Sequence, residues 1–292
     1  MTVAPASAQV PQLDSLRMLT DLSVLAHDSM AGRGVGTLGG LRARAFLERA
    51  MAGTGARPPG DGYTQAFNWP RGTGANLVGL VPGRDLDADV IVLTAHYDHE
   101  GVRGGDIYNG ADDNASGTAA ALEITRQLVA APLEHTIVVA LLDAEEEGSW
   151  GARALLDRPP VLRERIALNV NLDMVARTDG VLWAAGAYHT PALRPILEAV
   201  ATSAPVKLQL GHDRPGAPEG DDWTQSSDHS VFHDAGIPFV YFGVEDHPDY
   251  HRPSDDFERI DAGEYVDAVR TILLAMRELD AALPVAGRER IP

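Results

Sequence analysis

The chain of 292 residues contains no cysteine. Disulfides and thiolate metal sites are therefore excluded, and any bound metal has to be held by His, Asp and Glu. Also missing is an uncharged apolar run approaching the ~20 residues of a membrane span. The start, "MTVAPASAQVPQLD", lacks the basic and apolar regions of a signal peptide, although "ASAQ" is like the small-residue end of one. The expected compartment is the periplasm or the medium, with the cytoplasm as the alternative. Basic residues are scarce: Lys plus Arg is 24 against 42 for Asp plus Glu, a formal charge of −18. That balance argues against nucleic acid or an anionic membrane as partner, since both need a basic footprint. There is no internal repeat, and no phosphate-loop or dinucleotide fingerprint follows an expected strand, which leaves a nucleotide enzyme unsupported.

What is present is an ordinary soluble composition, 45% apolar and 23% charged. The length permits one large domain or two small ones. The expectation is one domain over 1–292, with a helical segment at about 12–55 packed on it and residues 1–11 disordered. Residues 12–27 and 39–53 have helical spacing. Downstream, apolar runs alternate with helical stretches. "YTQAFNW" is extended, and "ANLVGLV" and "DVIVLTAHY" are strands. A helix follows at 115–130, then the strand "TIVVALLDA" (136–144) and a helix near 149–157. The strands "ALNVNLDMV" (167–175) and "VLWAAGA" (181–187) precede a helix at 191–202. "IPFVYFG" (237–243) precedes a long loop and a helix over 262–281. Strands that are apolar and β-branched on both faces belong inside a sheet covered by helices. The fold class is thus α/β, a three-layer α/β/α sandwich with a mixed, largely parallel central sheet. The polar stretch "LGHDRPGAPEGDDWTQ" (210–225) is expected to be a loop or lid near a site.

In such sheets ligands bind at the carboxyl ends of the strands, and metal-type side chains collect there. After "VIVLTA" comes "HYDH", after "VVALLDA" comes "EEE", an Asp closes "NVNLDMV", and "VEDHPDYH" follows "IPFVYFG". Each residue alone has an ordinary explanation. His96 could be a buried His bonded to backbone, "AEEEG" an acidic turn, and His251 a loop His. Asp173 between Leu and Met is costly unless neutralised, and three adjacent Glu repel one another without a cation. Together two His and three carboxylates form a ligand set that zinc accepts, with Asp98 directed at the other ring nitrogen of His96. In "NGADDNASGTAA" (109–120), two adjacent Asp precede a helix. One could serve as an N-terminal cap, but small neighbours let Asp113 present its carboxylate to cations. Capping then falls to Asn114 or Ser116, while Asp112 serves the shell of the site or the turn.

The ordered motifs "TAHYDH", "NGADDNASG", "DAEEEGSWGA", "NLDMV", "SSDHSVF" and "YHRPSDD" resemble those of the di-zinc exopeptidase family. That family comprises bacterial leucyl aminopeptidases, aminopeptidase Y, glutamate carboxypeptidases and glutaminyl cyclases. The likeness runs over roughly residues 75 to 280, and "DSMAGRGVGTLGG" and "GDGYTQAF" are similar to the N-terminal part of bacterial members. It implies two Zn2+ per chain, with cobalt or manganese as substitutes. His96 and Asp173 would hold one, Glu146 and His251 the other, and Asp113 would bridge them, joined to Asn114 by a cis peptide. Glu145 stands at the general-base position. Glu146 and Glu147 exchange roles if the alignment shifts by one residue.

The implied activity is an aminopeptidase acting on peptides, with a glutaminyl cyclase or a carboxypeptidase as alternatives on the same scaffold. Arg103 and Arg214 are the cations a carboxypeptidase would use. A non-catalytic binding domain is disfavoured by the complete ligand set. Tyr241 and His229 are candidates to assist substrate and oxyanion. Trp223, Tyr241 and Phe242 are candidate pocket walls, although core packing is the commoner use of such aromatics. Residue preference and oligomeric state are not encoded in these motifs.

Overall fold

A computed structural model of the protein describes residues 12–218 and 220–284; the expectation for residues 1–11 lies outside them. Among the described residues ten strands form: β1 (Thr64–Trp69), β2 (Gly72–Val81), β3 (Val90–His96), β4 (Gly101–Arg103), β5 (Asp106–Tyr108), β6 (Thr136–Leu142), β7 (Ile166–Leu172), β8 (Val181–Ala185), β9 (Lys207–Leu210) and β10 (Phe239–Gly243). The α-helices are α1 (Ser15–Leu25), α2 (Leu38–Ala52), α3 (Gly117–Ala130), α4 (Trp150–Asp157), α5 (Arg194–Ala201), α6 (His229–Asp234) and α7 (Ala262–Ala282).

Eight strands make one sheet in the order β1-β2-β6-β3-β7-β10-β8-β9, and β4 and β5 form a separate hairpin. The four central strands, β6, β3, β7 and β10, run parallel. Antiparallel pairing occurs at β1–β2, β2–β6 and β10–β8. The sheet is therefore mixed with a parallel centre, as the buried β-branched runs require.

The period-2 alternation of a strand sends successive side chains to opposite faces. Ile91, Leu93, Ala95, Ile137, Val139 and Leu141 point into one core, shared with α1, α2, α3, α5 and α7. Val90, Val92, Val138, Ala140 and Leu142 point into the other, closed by α4 and α6. These two cores on either side of the sheet give the three layers. The N-terminal helix is tied to the larger core by Arg126, which reaches Asp21 at 2.5 Å, and by Glu123, which accepts the Asp14 N–H at 2.8 Å.

The long elements fall within a few residues of expectation. The short ones do not: β9, the β4–β5 hairpin and helix α6 arise where a loop or no element is anticipated. With β9 ending at Leu210, residues 211–218 and 220–225 form loop, and they bring Gly220 and Trp223 to the wall of a cleft.

Candidate metal centre

The parallel strands end side by side, and each delivers a side chain to the same edge. His96 is the last residue of β3, and Asp173 directly follows β7. The Glu145–Glu146 turn comes three residues after β6, and His251 lies on the loop beyond β10. Because β3 lies between β6 and β7, the loops leaving these strands part and open a crevice at the carboxyl edge.

Asp112 and Asp113 part company in this crevice. Asp112 turns away, accepting the N–H of Ala176 at 2.8 Å and the Ser116 hydroxyl at 3.0 Å, which binds it to the loop after β7. Asp113 turns inward, to 3.5 Å from His96 Nε2 and 3.1 Å from His251 Nε2. The peptide between Asp113 and Asn114 is cis. Asn114 caps α3, its Oδ1 accepting the Gly117 N–H at 2.9 Å. Gly117 has to be glycine, because a Cβ there would sit 2.5 Å from the Leu172 carbonyl. Asp255 accepts the N–H groups of both Asp112 and Asp113.

Three sets of side chains converge closely enough to hold a metal ion: His96, Asp113 and Asp173; His99, Asp113 and Glu146; and Glu100, Glu146 and His251. Asp113 belongs to two of them. All five residues expected as ligands fall within these sets, and the Glu146 register rather than Glu147 is the one that reaches the cluster. Glu147 points elsewhere, paired with Arg71. Asp98 departs in part from expectation. Its carboxylate accepts the N–H of Glu145 at 3.1 Å and of Glu146 at 3.3 Å, and it is the Asp98 carbonyl that lies nearer His96 Nδ1, at 3.2 Å.

The electrostatics are those of a site built around positive charge. Burial raises the Glu146 carboxyl to about 7, and burial together with the neighbouring Glu146 raises Asp113. Burial also pushes Glu145 well above the usual carboxylate range. Burial opposes ionisation of both His96 and Asp173, yet their mutual attraction at 3.2 Å wins: the imidazole is raised and the carboxyl lowered. Crowded carboxylates and imidazoles with no thiolate are the donors a divalent ion of zinc type accepts. The donor set fits such an ion, whose charge would relieve the repulsion among Asp113, Glu145 and Glu146.

Two residues escape a reading of the sequence. His99 lies beneath the cluster, Nδ1 2.6 Å from Glu146 Oε1, and burial depresses its pKa to about 4, leaving a neutral ring. Arg33 is fully buried and donates to the carbonyls of Leu25, Tyr97, Asn109, Gly110 and Asp113. Its guanidinium thereby clips the end of β3 to the loop that carries Asp113. The signal for His99 was its place two residues past "HY" in "AHYDH". For Arg33 it was the flanking glycines of "AGRGVG", of which Gly32 readily takes the left-handed backbone found there.

The cluster opens into a cavity of about 200 Å³ walled also by Met174, Trp223, Tyr241, Val244, Asp246 and Tyr250. A larger cleft of about 380 Å³, walled by residues such as Ile166, Pro191 and Leu279, has none of the metal-type sets, so chemistry rather than size picks the site. Tyr241 lines the cavity with its hydroxyl directed at the Asp173 carbonyl, 3.4 Å away. His229 does not reach the cavity. It is fully buried, stacked on Tyr241 at 4.5 Å, and Nε2 faces the Trp223 carbonyl at 2.8 Å, so it backs the wall instead of touching a substrate. Phe242 is likewise a core residue, because its neighbour Tyr241 takes the cavity face and alternation sends Phe242 to the other. Arg103 is occupied by Glu100 at 2.7 Å, and neither it nor the exposed Arg214 lines the cavity.

Sheet order and site location together define an α/β/α protein with the fold of the zinc aminopeptidases. A zinc aminopeptidase from Bacillus subtilis superposes with TM-score 0.75 at 17% identity, over 93% of this chain and 96% of that one. Porphyromonas gingivalis glutaminyl cyclase superposes with TM-score 0.74 at 19% identity, over 91% and 99%. Residues 76–276 match the model of peptidase family M28, and the chain belongs to that family. Among curated relatives, aminopeptidase YwaD of Bacillus subtilis (strain 168) is 31% identical over 201 residues, 64% of this chain and 41% of that protein. A probable zinc metalloprotease of Leptosphaeria maculans is 33% identical over 109 residues, 36% of this chain and 25% of that protein. The chain thus spans less than half the length of these relatives. No described helix is long and apolar enough to cross a membrane.

Proposed function

We propose that the protein is a metal-dependent aminopeptidase that removes N-terminal residues from peptides, using two zinc ions. The observation that carries this reading is the sharing of Asp113 between two metal-type sets, with Glu145 beside them. His96 and Asp173 would hold one ion, Glu146 and His251 the other, with Asp113 between. Two such ions would supply Lewis acidity, acidifying water and polarising a peptide carbonyl.

The remaining steps fall to the chain's own groups. Glu145 lines the cavity without being one of the five donors, and its carboxyl is held above the ordinary range by burial. It accepts a proton at a carboxylate oxygen as water attacks the scissile carbonyl, and returns that proton to the leaving amine. Asp98 fixes the Glu145–Glu146 turn through both backbone N–H groups. With the Tyr241 hydroxyl directed at the Asp173 carbonyl, Tyr250 is the freer phenol. It lines the cavity, stacked on His251 at 3.9 Å, and its O–H donates to the carbonyl oxygen as charge develops there. Among the described residues no Lys or Arg lines the cavity, which disfavours a carboxypeptidase, since a terminal carboxylate would lack a counter-ion.

The test is a zinc titration of metal-stripped protein, following amine release from a panel of aminoacyl anilides. Activity rising to a plateau at two ions per chain is the expected result. No release at any zinc level, with pyroglutamate formed from an N-terminal glutamine peptide, would replace the aminopeptidase with a cyclase.

A further inference from the structure

One acid in the cavity has no part in the mechanism. Asp246 lines the same space as Glu145 and His251, from the loop that leaves β10, and it is exposed at the rim. Its neighbours on the same loop are paired, Glu245 with His212 at 3.1 Å and Asp249 with Arg177 at 2.6 Å. Asp246 has no cationic partner among the described residues. A bare carboxylate facing a substrate cavity is a recognition element for positive charge.

The wall between the cluster and Asp246 defines the shape of that charge's carrier. Trp223 and Tyr241 are buried at its depth, Tyr250 is half-buried further out, and Asp246 is at the mouth. A side chain running outward from the reacting carbonyl would meet aromatic surface along its stem and a carboxylate at its tip. Lysine and arginine have that construction, an apolar stem with a charged head that prefers water. The volume of about 200 Å³ equals roughly seven waters at ~30 Å³ each, enough for one long side chain. Asp246 also borders a groove with Asp179 and Glu245, which continues the negative rim outward, while Arg177 in that groove is engaged by Asp249.

We propose that Asp246 is a specificity residue that selects peptides with an N-terminal Lys or Arg, its carboxylate receiving the side-chain cation. The proposal rests on the aminopeptidase reading above, and its rival is that Asp246 holds the α-ammonium group common to all substrates.

The experiment compares zinc-loaded wild type with Asp246→Asn on the anilides of Lys, Arg, Leu and Met. Wild type is expected to favour the basic pair. In the variant the Lys-to-Leu ratio of kcat/KM falls about 5-fold, the worth of an ion pair of ~1 kcal/mol, chiefly through KM for Lys. An unchanged ratio overturns the proposal, and an equal loss on Lys and Leu assigns Asp246 to the α-ammonium group and overturns it as well. Calorimetric binding of the amino alcohols L-lysinol and L-leucinol gives a readout independent of turnover. If no anilide is cleaved, the aminopeptidase reading fails. The lysinol-to-leucinol affinity ratio in wild type and Asp246→Asn then still decides whether Asp246 recognises a cationic side chain.

Discussion

Two buried His–Asp pairs stand at opposite ends of the same sheet. At the carboxyl edge, His96 Nε2 lies 3.2 Å from Asp173. At the other edge, His135 at the entrance to β6 lies 2.8 Å from Asp280 near the end of α7. The residue types are the same and both imidazoles are raised in pKa. Their surroundings differ. Asp280 also accepts the N–H groups of Glu134 and His135, and the far ring nitrogen of His135 faces the Pro284 carbonyl. Every polar atom there has a partner, and the result is a latch between α7 and the sheet. Around His96 and Asp173 stand three further carboxylates and an open cavity. A pair of charges closed on itself holds structure, whereas a pair left in excess negative charge calls for a cation.

The largest effect should come from removing what separates the two environments. Asp113→Asn takes away the shared carboxylate and turns the carboxyl-edge pair toward the closed type. Zinc bound per chain, read by elemental analysis, should fall below two. Activity should drop by more than the ~10²-fold that loss of an outer partner of a metal ligand costs. Two retained ions would remove Asp113 from the bridging position. The same change applied to the latch, Asp280→Asn, should leave zinc content intact.

Next in size is Glu145→Gln, which alters charge at the site and spares the five donors. Activity on aminoacyl anilides should fall by ~10²–10⁴, the range for loss of a general base, with zinc content and KM little changed. Full activity in a folded, zinc-loaded variant would exclude Glu145 from proton transfer.

Arg33→Lys tests the support under Asp113. Lysine keeps the charge and loses the planar fork that reaches five carbonyls, and buried carbonyls left without donors cost ~1–3 kcal/mol each. Thermal unfolding should shift down by several degrees, and amide exchange should speed up over residues 109–113 before it does at the latch. Equal acceleration at both ends of the sheet would mean that Arg33 serves general stability alone.

The contrast also explains how much could be read without coordinates. Strands β3, β6 and β7 were legible because two covered faces demand unbroken apolar, β-branched runs. The five expected donors were legible too: His96, Glu146 and Asp173 stand within a few residues of such a run and His251 on the loop beyond another, whereas Asp113 precedes α3 and stands out by the paired Asp of "NGADDNASG" and that motif's likeness to the exopeptidase family. Helix α6 was not, since six residues rich in His, Ser and Asp carry no helical period of their own and fold by packing Val231 and Phe232 under the sheet. Nor was the inward role of Arg33, whose acceptors lie up to 80 residues away. His229 was misjudged because a His after "SSD" has the composition of a site residue, while its burial behind Tyr241 is decided by tertiary packing alone.

The smallest effect belongs to the latch, and its slope with pH is opposite on the acid and the alkaline flank. Burial opposes a charge on His135, but the hydrogen bonds its ring donates to Asp280 and to the Pro284 carbonyl outweigh it and raise the imidazole. For Asp280, burial is outweighed by His135 and two N–H groups, and the carboxyl is lowered. A raised histidine contributes stability that is complete below its unfolded pKa of ~6.5 and lost as pH rises through the folded value. A lowered aspartate contributes stability that is complete above its unfolded pKa of ~3.9 and lost as pH falls through the folded value. The latch should therefore contribute fully only between about pH 4 and 6.5. In His135→Gln, the loss of unfolding free energy relative to wild type should be ~1–2 kcal/mol at pH 5.5 and smaller at pH 9. Denaturant titrations of metal-loaded protein at the two pH values provide the measurement. A loss equal at both would mean that His135 is neutral in the folded chain and holds α7 as an uncharged donor.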